Sequence, residues 1–174
     1  MTRAELARAI TQRSLITGEF LLRSGAISHE YFDKYLFESD PALLRAVAEA
    51  LAPLVPEGVD ALAGLELGGV PLAVMLGQVT GLPTLFVRKQ AKEYGTRRLA
   101  EGGEVAGRRL LVVEDVVTSG GQVVLSTRDL KERGASVTHA LCVIDREAGG
   151  AQALAAEGVE LRALFSMSEL KAAG

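Results

Sequence analysis

Apolar residues follow two spacings that alternate along most of this chain. Continuous apolar runs lie near residues 60–67, 82–89, 108–117, 136–147 and 159–166. Between them, apolar residues recur every three or four positions, which predicts helices at about 70–79, 121–132 and 151–156. Strands that are apolar throughout are typical of a parallel sheet covered by helices on both faces. The pattern therefore predicts an α/β fold with a central, mostly parallel sheet flanked by helices.

The N-terminal third has a different pattern. Residues 2–14 suit a helix, and the segment "EFLLRSGAISHEYFDKYLF" predicts short extended pieces bent at Gly25. Asp40 and Pro41 are favourable N-cap and first-turn residues, and the leucines and valine that follow have helical spacing. We expect this helix to end near residues 56–58.

Composition narrows the possible classes of protein. A chain of 174 residues with 48% hydrophobic content is long enough for one substantial core, so we expect a single domain, 1–174. A net charge of -3 does not favour a nucleic-acid partner. The single cysteine, Cys142, lies in the apolar run "ALCVI", which indicates a core residue and a reducing, cytoplasmic setting. No apolar run approaches the ~20 residues of a membrane span, so no membrane is expected.

A carboxylate pair precedes a loop suited to an anion. In parallel sheets, ligands bind at the carboxyl ends of strands, which draws attention to Arg88, Glu114 and Asp145. In "EDVVTSGGQ", two hydroxyls and two glycine amides follow a strand and open a helix, so they can hold a phosphate: Thr118, Ser119, Gly120 and Gly121. The residue pattern of this segment matches neither the P-loop nor the dinucleotide-binding motif. Glu114 and Asp115 would repel phosphate, so we expect them to accept hydrogen bonds from ribose hydroxyls, close to a ligand-borne Mg²⁺. The alternative is that they cap a solvated loop.

A basic segment follows the strand that ends near Arg88. Residues 88–98 contain five basic residues and one acid, a local charge of +4: Arg88, Lys89, Lys92, Arg97 and Arg98 against Glu93. So long a segment without regular structure is usually a lid or a binding loop. Its cations could neutralise departing phosphate groups, and its closure could exclude water. A solvated charged loop is the alternative.

Three further segments are ambiguous from the residues alone. Arg146, in "VIDREAGG", could form surface ion pairs with its acidic neighbours or bind a planar carboxylate. Tyr31 and Phe32 could be core residues or could contact a ligand, with Lys34 close by. The turn 64–73, "GLELGGVPLA", could cap a helix or offer amides to a pyrophosphate. His29 and His139 have no metal-ligand partner in the sequence, so no histidine or cysteine metal site is expected.

These motifs carry a family resemblance. The segment "LLVVEDVVTSGGQV" resembles the phosphoribosyl-pyrophosphate (PRPP) motif of the type I phosphoribosyltransferases. The pattern "RK-x-x-K-x-x-G" followed by "EGG" is similar to the catalytic loop of the orotate phosphoribosyltransferases. "DRE" resembles that family's orotate-recognising element, and "FLLRSGAISHEYF" resembles its hood over the base. The four matches occur in the expected order from about residue 17 to 150.

The resemblance implies a fold and an activity. It implies a type I phosphoribosyltransferase fold with a small N-terminal hood at about 15–40 and a long mobile catalytic loop at about 89–107. The implied enzyme transfers the phosphoribosyl group of PRPP to N1 of orotate, giving orotidine 5'-monophosphate and pyrophosphate in pyrimidine synthesis. The alternatives are a phosphoribosyltransferase for another base, for which Arg146 has no carboxylate to bind, or a PRPP-sensing regulator that kept the fold.

It also implies roles for residues. The catalytic residues would be Lys92, Glu114 and Asp115. PRPP would contact Arg23, Arg88, Lys89, Lys92, Tyr94, Glu114, Asp115, Val116, Val117, Thr118, Ser119, Gly120, Gly121 and Gln122. Orotate would contact Arg23, Tyr31, Phe32, Thr118 and Arg146. Tyr94 stands where well-known members carry histidine, so any proton donation is assigned to Lys92. Gly68 stands where some members carry lysine.

The resemblance finally implies a metal and an assembly. Mg²⁺ would be carried mainly by PRPP and pyrophosphate, with no metal site built by the protein alone. A homodimer is implied, in which the loop Arg88–Gly107 reaches the neighbouring active site. No nucleic acid or membrane partner is implied.

Overall fold

The computed structural model describes residues 1–174, which form two sheets and seven helices. The helices are α1 (Arg3–Ser14), α2 (Lys34–Glu38), α3 (Pro41–Leu51), α4 (Gly69–Thr80), α5 (Gly121–Glu132), α6 (Gly150–Ala156) and α7 (Met167–Ala173). The strands are β1 (Leu15–Leu21), β2 (Ile27–Phe32), β3 (Ala61–Leu65), β4 (Thr84–Val87), β5 (Ala100–Glu101), β6 (Leu110–Val117), β7 (His139–Asp145) and β8 (Glu160–Ser166).

The larger sheet has six strands in the order β5-β4-β3-β6-β7-β8. All neighbouring strands are parallel except β4 and β5, which are antiparallel. Side chains from both faces of β6 and β7 are buried: Leu111 and Leu141 belong to one core cluster, and Val112 and Cys142 to the other. Helices α1, α3, α4 and α7 contribute to the first cluster, and α5 and α6 to the second. The mostly parallel, helix-covered sheet predicted from the apolar runs is confirmed.

Helix boundaries follow the polar signals in the sequence. Asp40 Oδ1 accepts hydrogen bonds from the amides of Ala42 and Leu43 at 3.1 and 3.0 Å, and Pro41 occupies the first turn of α3. Such caps satisfy amides that have no partner inside the helix. The third helix nevertheless ends earlier than predicted, because a 3-10 turn, Ala52–Leu54, follows Leu51.

The hood is an antiparallel pair of strands followed by a short helix. β1 and β2 pair from Leu15 with Phe32 to Leu21 with Ile27, and Gly25 supplies the left-handed conformation in the turn between them, at φ 85°. The predicted bend is therefore confirmed. The prediction of extended structure through residue 37 is wrong, because Asp33 caps α2 by accepting a hydrogen bond from the amide of Tyr35.

Three other predictions need correction. The segment 89–107 contains β5, which pairs with β4 through Phe86 with Glu101 and Val87 with Ala100, so it is not without regular structure. β6 continues to Val117, so Glu114 and Asp115 lie within the strand and not at its end. Helix α7 lies outside the predicted elements. No helix of the structure combines the length and apolar character needed to cross a membrane.

Candidate active site

The loop between β6 and α5 has the geometry of an anion-binding turn. Thr118 and Ser119 are exposed, and no side chain caps α5, so its first amides remain available to a ligand. Gly120 adopts φ 80°, and a Cβ atom there would lie 3.0 Å from the Cα of Gly150. A side chain at Gly120 would therefore be both strained and crowded.

The carboxylate pair lies directly before this loop, next to the start of α4. A Cβ atom at Gly68 would lie 1.8 Å from Asp115 Oδ2, and one at Gly69 would lie 3.3 Å from Glu114 Oε1. The two carboxyl groups therefore sit beside the same glycine pair. The amides of Asp115 and Val116 donate to Glu114 Oε1 at 3.0 Å and to Asp115 Oδ1 at 2.6 Å. These bonds fix both side chains against their own strand.

Helix α2 of the hood covers Asp115. Lys34 Nζ lies 2.7 Å from Asp115 Oδ2, and the buried carboxyl group of Glu38 lies beside the same oxygen, since a Cβ atom at Gly68 would be 3.1 Å from Glu38 Oε1 as well as 1.8 Å from Asp115 Oδ2. The Asp115 side chain has 0% exposure, whereas that of Lys34 retains 33%. The sequence predicted two acids open to a sugar. With this arrangement, a hydroxyl group can reach Asp115 Oδ2 only by exchanging with Lys34 or by moving α2.

Burial and hydrogen bonding separate the protonation states of these acids. Burial, with the charge of Asp115 beside it, raises the pKa of Glu114 well above its usual range. Burial also acts to raise the pKa of Asp115, but hydrogen bonds from Glu38 and Lys34 outweigh it and lower that pKa. Burial disfavours the charge on Lys34, yet its hydrogen bond and attraction to Asp115 raise its pKa. Burial and hydrogen bonding therefore move the pKa values of the two neighbouring acids apart: Asp115 favours its ionised form, whereas Glu114 holds its proton more strongly than a free glutamate does.

The predicted loop cations lie on the other side of β3. Lys92 Nζ is 2.8 Å from Glu101 Oε1, and Arg88 Nε is 3.6 Å from the same oxygen. The amide of Lys89 donates to Glu66 Oε2 at 2.9 Å, which joins the start of the loop to the turn before α4. Tyr94 is 74% exposed, with Lys92 Nζ 5.9 Å from the centre of its ring. In this conformation Lys92 is neutralised by an acid of its own segment.

Arg146 lies at the carboxyl end of β7, next to the anion-binding loop. Its amide donates to the carbonyl of Val117 at 2.9 Å, and its exposed side chain forms no ion pair with Asp145 or Glu147. Asp145 instead accepts a hydrogen bond from the Glu147 amide. Arg146 and Phe32 help line a cavity of about 530 Å³ between the hood, α1 and α7. The surface ion-pair alternative for Arg146 is therefore not the arrangement found.

The remaining hood residues keep accessible side chains. Tyr31 is 46% exposed, its ring centre is 5.5 Å from that of Phe20, and Phe32 is half-buried against the core. Arg23 is exposed in the turn between β1 and β2. The alternative that both aromatic residues belong to the core does not hold for Tyr31.

Sequence reasoning missed three acids that contact the predicted site residues. Glu38 lies beside Asp115, Glu66 accepts a hydrogen bond from the Lys89 amide, and Glu101 pairs with Lys92. A signal existed for Glu38, because Asp33 is a good N-cap and Lys34 and Glu38 are four residues apart, which places them on one face of a helix. Glu66 and Glu101 depend on contacts between distant segments.

The structure contains no group of three or more histidine, cysteine, aspartate or glutamate side chains arranged to hold a metal ion. The most suitable oxygen, Asp115 Oδ2, already pairs with the Lys34 ammonium.

An anion-binding turn after a parallel strand, an acid pair before it and a cationic loop at the same edge define a phosphoribosyltransferase. The model of the phosphoribosyl transferase domain family matches residues 37–157. The orotate phosphoribosyltransferase of Nocardioides sp. is 53% identical over 170 residues, covering 98% of this chain and 95% of the relative. That of Methanocella arvoryzae is 41% identical over 95% of both chains. The chain belongs to the orotate phosphoribosyltransferase family.

Solved structures agree with the sequence relatives. The orotate phosphoribosyltransferase of Mycobacterium tuberculosis in complex with inorganic phosphate has a TM-score of 0.87 and 29% identity, and 97% of this chain and 98% of that chain are covered. The same enzyme in complex with PRPP has a TM-score of 0.84 at 28% identity, with the same coverage. The fold is that of the type I phosphoribosyltransferases.

Proposed function

We propose that this enzyme transfers the 5-phosphoribosyl group of PRPP to N1 of orotate, giving orotidine 5'-monophosphate and pyrophosphate. The observation that carries the proposal is the placement of Arg146. Its unpaired guanidinium stands beside the anion-binding loop and lines a cavity under the hood. A planar, bidentate donor suits the carboxylate of orotate, and uracil and hypoxanthine have no such group.

The loop after β6 would bind the 5-phosphate of PRPP. Its exposed hydroxyls and unpaired amides supply the donors: Thr118, Ser119, Gly120 and Gly121. Gln122 lies in the first turn of α5, and Val116 and Val117 are the last residues of β6 before the loop. Glu114 and Asp115 would bind the ribose hydroxyls. Because Lys34 covers Asp115, ribose binding would exchange a lysine contact for a hydroxyl contact.

The basic loop would neutralise the departing pyrophosphate. Arg88, Lys89 and Lys92 are its cations, and Lys92 must leave Glu101 to reach a phosphate. As the bond to pyrophosphate lengthens, positive charge develops on the ribose, and the nearby Asp115 carboxylate stabilises it. Closure of the loop would keep water from capturing the ribosyl group. Tyr94 would contact PRPP but would not act as the acid, and Lys92 would donate any proton that is needed.

The hood would cover the base. Tyr31 and Phe32 would contact orotate through their backbone, with Arg23 and Thr118 between base and PRPP. Mg²⁺ would enter on the PRPP phosphates and would offset their charge when bound. The cytoplasmic location stays a prediction of the sequence.

Base specificity tests this proposal directly. The enzyme is incubated with PRPP, Mg²⁺ and one base at a time, either orotate, uracil or hypoxanthine, and both pyrophosphate release and nucleotide formation are measured. Orotate alone should support release above a base-free control. Faster turnover with either of the other bases, or no turnover with orotate, would overturn the assignment.

Subunit mixing tests whether the loop acts across a homodimer. At an orotate concentration well below the KM of the arginine variant, Lys92→Ala and Arg146→Ala should each be nearly inactive alone. If each loop serves the partner subunit, a mixed dimer contains one site with both native residues, and activity returns on mixing and subunit exchange. If each loop serves its own subunit, every mixed site lacks one residue and activity stays absent. Size-exclusion chromatography coupled to light scattering establishes that mixed dimers can form.

A further inference from the structure

Glu38 is a buried acid for which the proposed reaction has so far no role. It lies one helical turn after Lys34, and both side chains lie beside the same carboxylate, that of Asp115. Glu38 is 6% exposed, and neither of its carboxyl oxygens has a conventional amide or hydroxyl donor as partner. The two acids can lie this close to Gly68 because it has no side chain: a Cβ atom there would lie 3.1 Å from Glu38 Oε1 and would clash with Asp115.

Two carboxyl groups can share a hydrogen bond only if one of them carries a proton. Asp115 already pairs with the Lys34 ammonium and accepts the amide of Val116, and both contacts favour its ionised form. Burial, followed by the hydrogen bond to Asp115, raises the pKa of Glu38 to about 9, while Lys34 acts to lower it and Glu114 acts to raise it. At neutral pH Glu38 is therefore the donor and Asp115 the acceptor.

We propose that Glu38 is a positioning residue that donates a hydrogen bond to Asp115 and so holds this carboxylate in the orientation needed for PRPP. Lys34 and Glu38 approach Asp115 from the same helix, but they differ in what a substrate can replace. Lys34 is partly exposed and can be displaced by a ribose hydroxyl, whereas Glu38 is enclosed. When Lys34 leaves, the Glu38 hydrogen bond and the Val116 amide remain to orient Asp115. The inference rests on the proposed function only in requiring that Asp115 serves PRPP.

The test compares two substitutions at Glu38 in the full-length protein. In Glu38→Gln the amide still donates to Asp115, whereas Glu38→Leu has similar size and no donor. PRPP affinity is measured by calorimetry with Mg²⁺ and no base, so that the result does not depend on which base is the substrate. The leucine variant should bind PRPP at least about ten-fold more weakly, and the glutamine variant within about three-fold of the native protein. With orotate present, the leucine variant should raise KM for PRPP more than KM for orotate.

Glu49→Leu is the matched control, because Glu49 is an exposed acid on α3 paired only with Arg45. It should bind PRPP like the native protein. Native affinity in Glu38→Leu, or equal loss in the leucine and glutamine variants, overturns the inference. Failure of the native protein to use orotate, with this PRPP pattern intact, would instead count against the proposed function alone.

A second measurement covers the case in which Glu38→Leu does not fold. PRPP affinity of the native protein and of Glu38→Gln is compared from pH 7 to pH 10. Native affinity should weaken relative to the glutamine variant as Glu38 loses its proton near pH 9, since a second negative charge then faces Asp115. The groups that face Glu38, namely Lys34, Glu114 and Asp115, are present in both proteins. Parallel curves would overturn the inference.

Discussion

Gly68 offers a sharp test of the acid site, because a single methyl group there would clash with the carboxylate of Asp115 and lie close to Glu38 Oε1. Its backbone is in the right-handed helical region, at φ -65° and ψ -28°, so alanine fits without backbone strain. The added Cβ atom would lie 1.8 Å from Asp115 Oδ2 and 2.5 Å from Asp115 Cγ. The carboxylate would have to move by roughly 1 Å or more to reach an ordinary contact distance, and it would lose its 2.7 Å pair with Lys34.

The expected effects of Gly68→Ala are large on activity and moderate on stability. Overpacking of this kind costs about 1–3 kcal/mol in the free energy of unfolding. Displacement of a catalytic group by ~1 Å can lower turnover by about 100-fold. Urea unfolding measures the first effect, and pyrophosphate release with PRPP, Mg²⁺ and orotate measures the second.

A double-mutant cycle with Asp115→Ala separates the clash from any other effect. Without the Asp115 carboxylate, the new methyl group has lost its closest neighbour, so Gly68→Ala should then change the free energy of unfolding by less than about 0.5 kcal/mol. If Gly68→Ala leaves turnover intact, or destabilises both backgrounds equally, the arrangement of Asp115 described above is wrong.

Four other variants test separate parts of the molecule. Lys92→Ala should lower kcat at least about ten-fold while its thermal midpoint stays close to native, because the partly exposed pair with Glu101 contributes only ~0–1 kcal/mol; native kcat would refute the role of Lys92. Arg146→Leu should raise KM for orotate and leave KM for PRPP nearly unchanged in steady-state assays, and an equal change in both would remove its assignment to the base. Phe37→Ala removes a fully buried side chain of α2 and should cost about 3–5 kcal/mol in urea unfolding; a loss below 1 kcal/mol would contradict this packing. The pKa of Glu38 is about 9 in the folded chain against an ordinary 4.5, so folding retains a proton and the free energy of unfolding falls as pH rises through that window; the stability of Glu38→Gln relative to native should therefore increase from pH 5 to pH 9, and a constant difference would refute the protonated state.

The sequence predicted the sheet because its strands are buried on both faces, so that nearly every position in each strand is apolar. It predicted α3 because Asp40 is an N-cap that acts on amides two and three residues away. The same kind of signal existed for α7, where Ser166 and Glu169 form a capping box, but the pattern analysis did not use it.

In the candidate site, too, features that depend on local sequence could be predicted, and features that depend on distant contacts could not. The turn after β6 and the position of Arg146 follow from local sequence and from the rule that ligands bind at strand ends. The protonation of the acid pair and its burial under α2 do not follow from local sequence. They depend on Lys34 and Glu38, which lie about 80 residues earlier in the chain. A pattern of residues specifies which groups are present, whereas their charge depends on which distant groups the fold places beside them.

The contact between Lys92 and Glu101 has a consequence for how the enzyme would respond to ionic strength. Because Glu101 already neutralises this ammonium, engagement with a phosphate replaces one attraction by another and does not create a new one. Dissolved salt screens both attractions, so its effect on the exchange largely cancels. The dependence of PRPP affinity on salt should therefore be shallower than the number of cations in the loop suggests, and neutralising Glu101 would make it steeper.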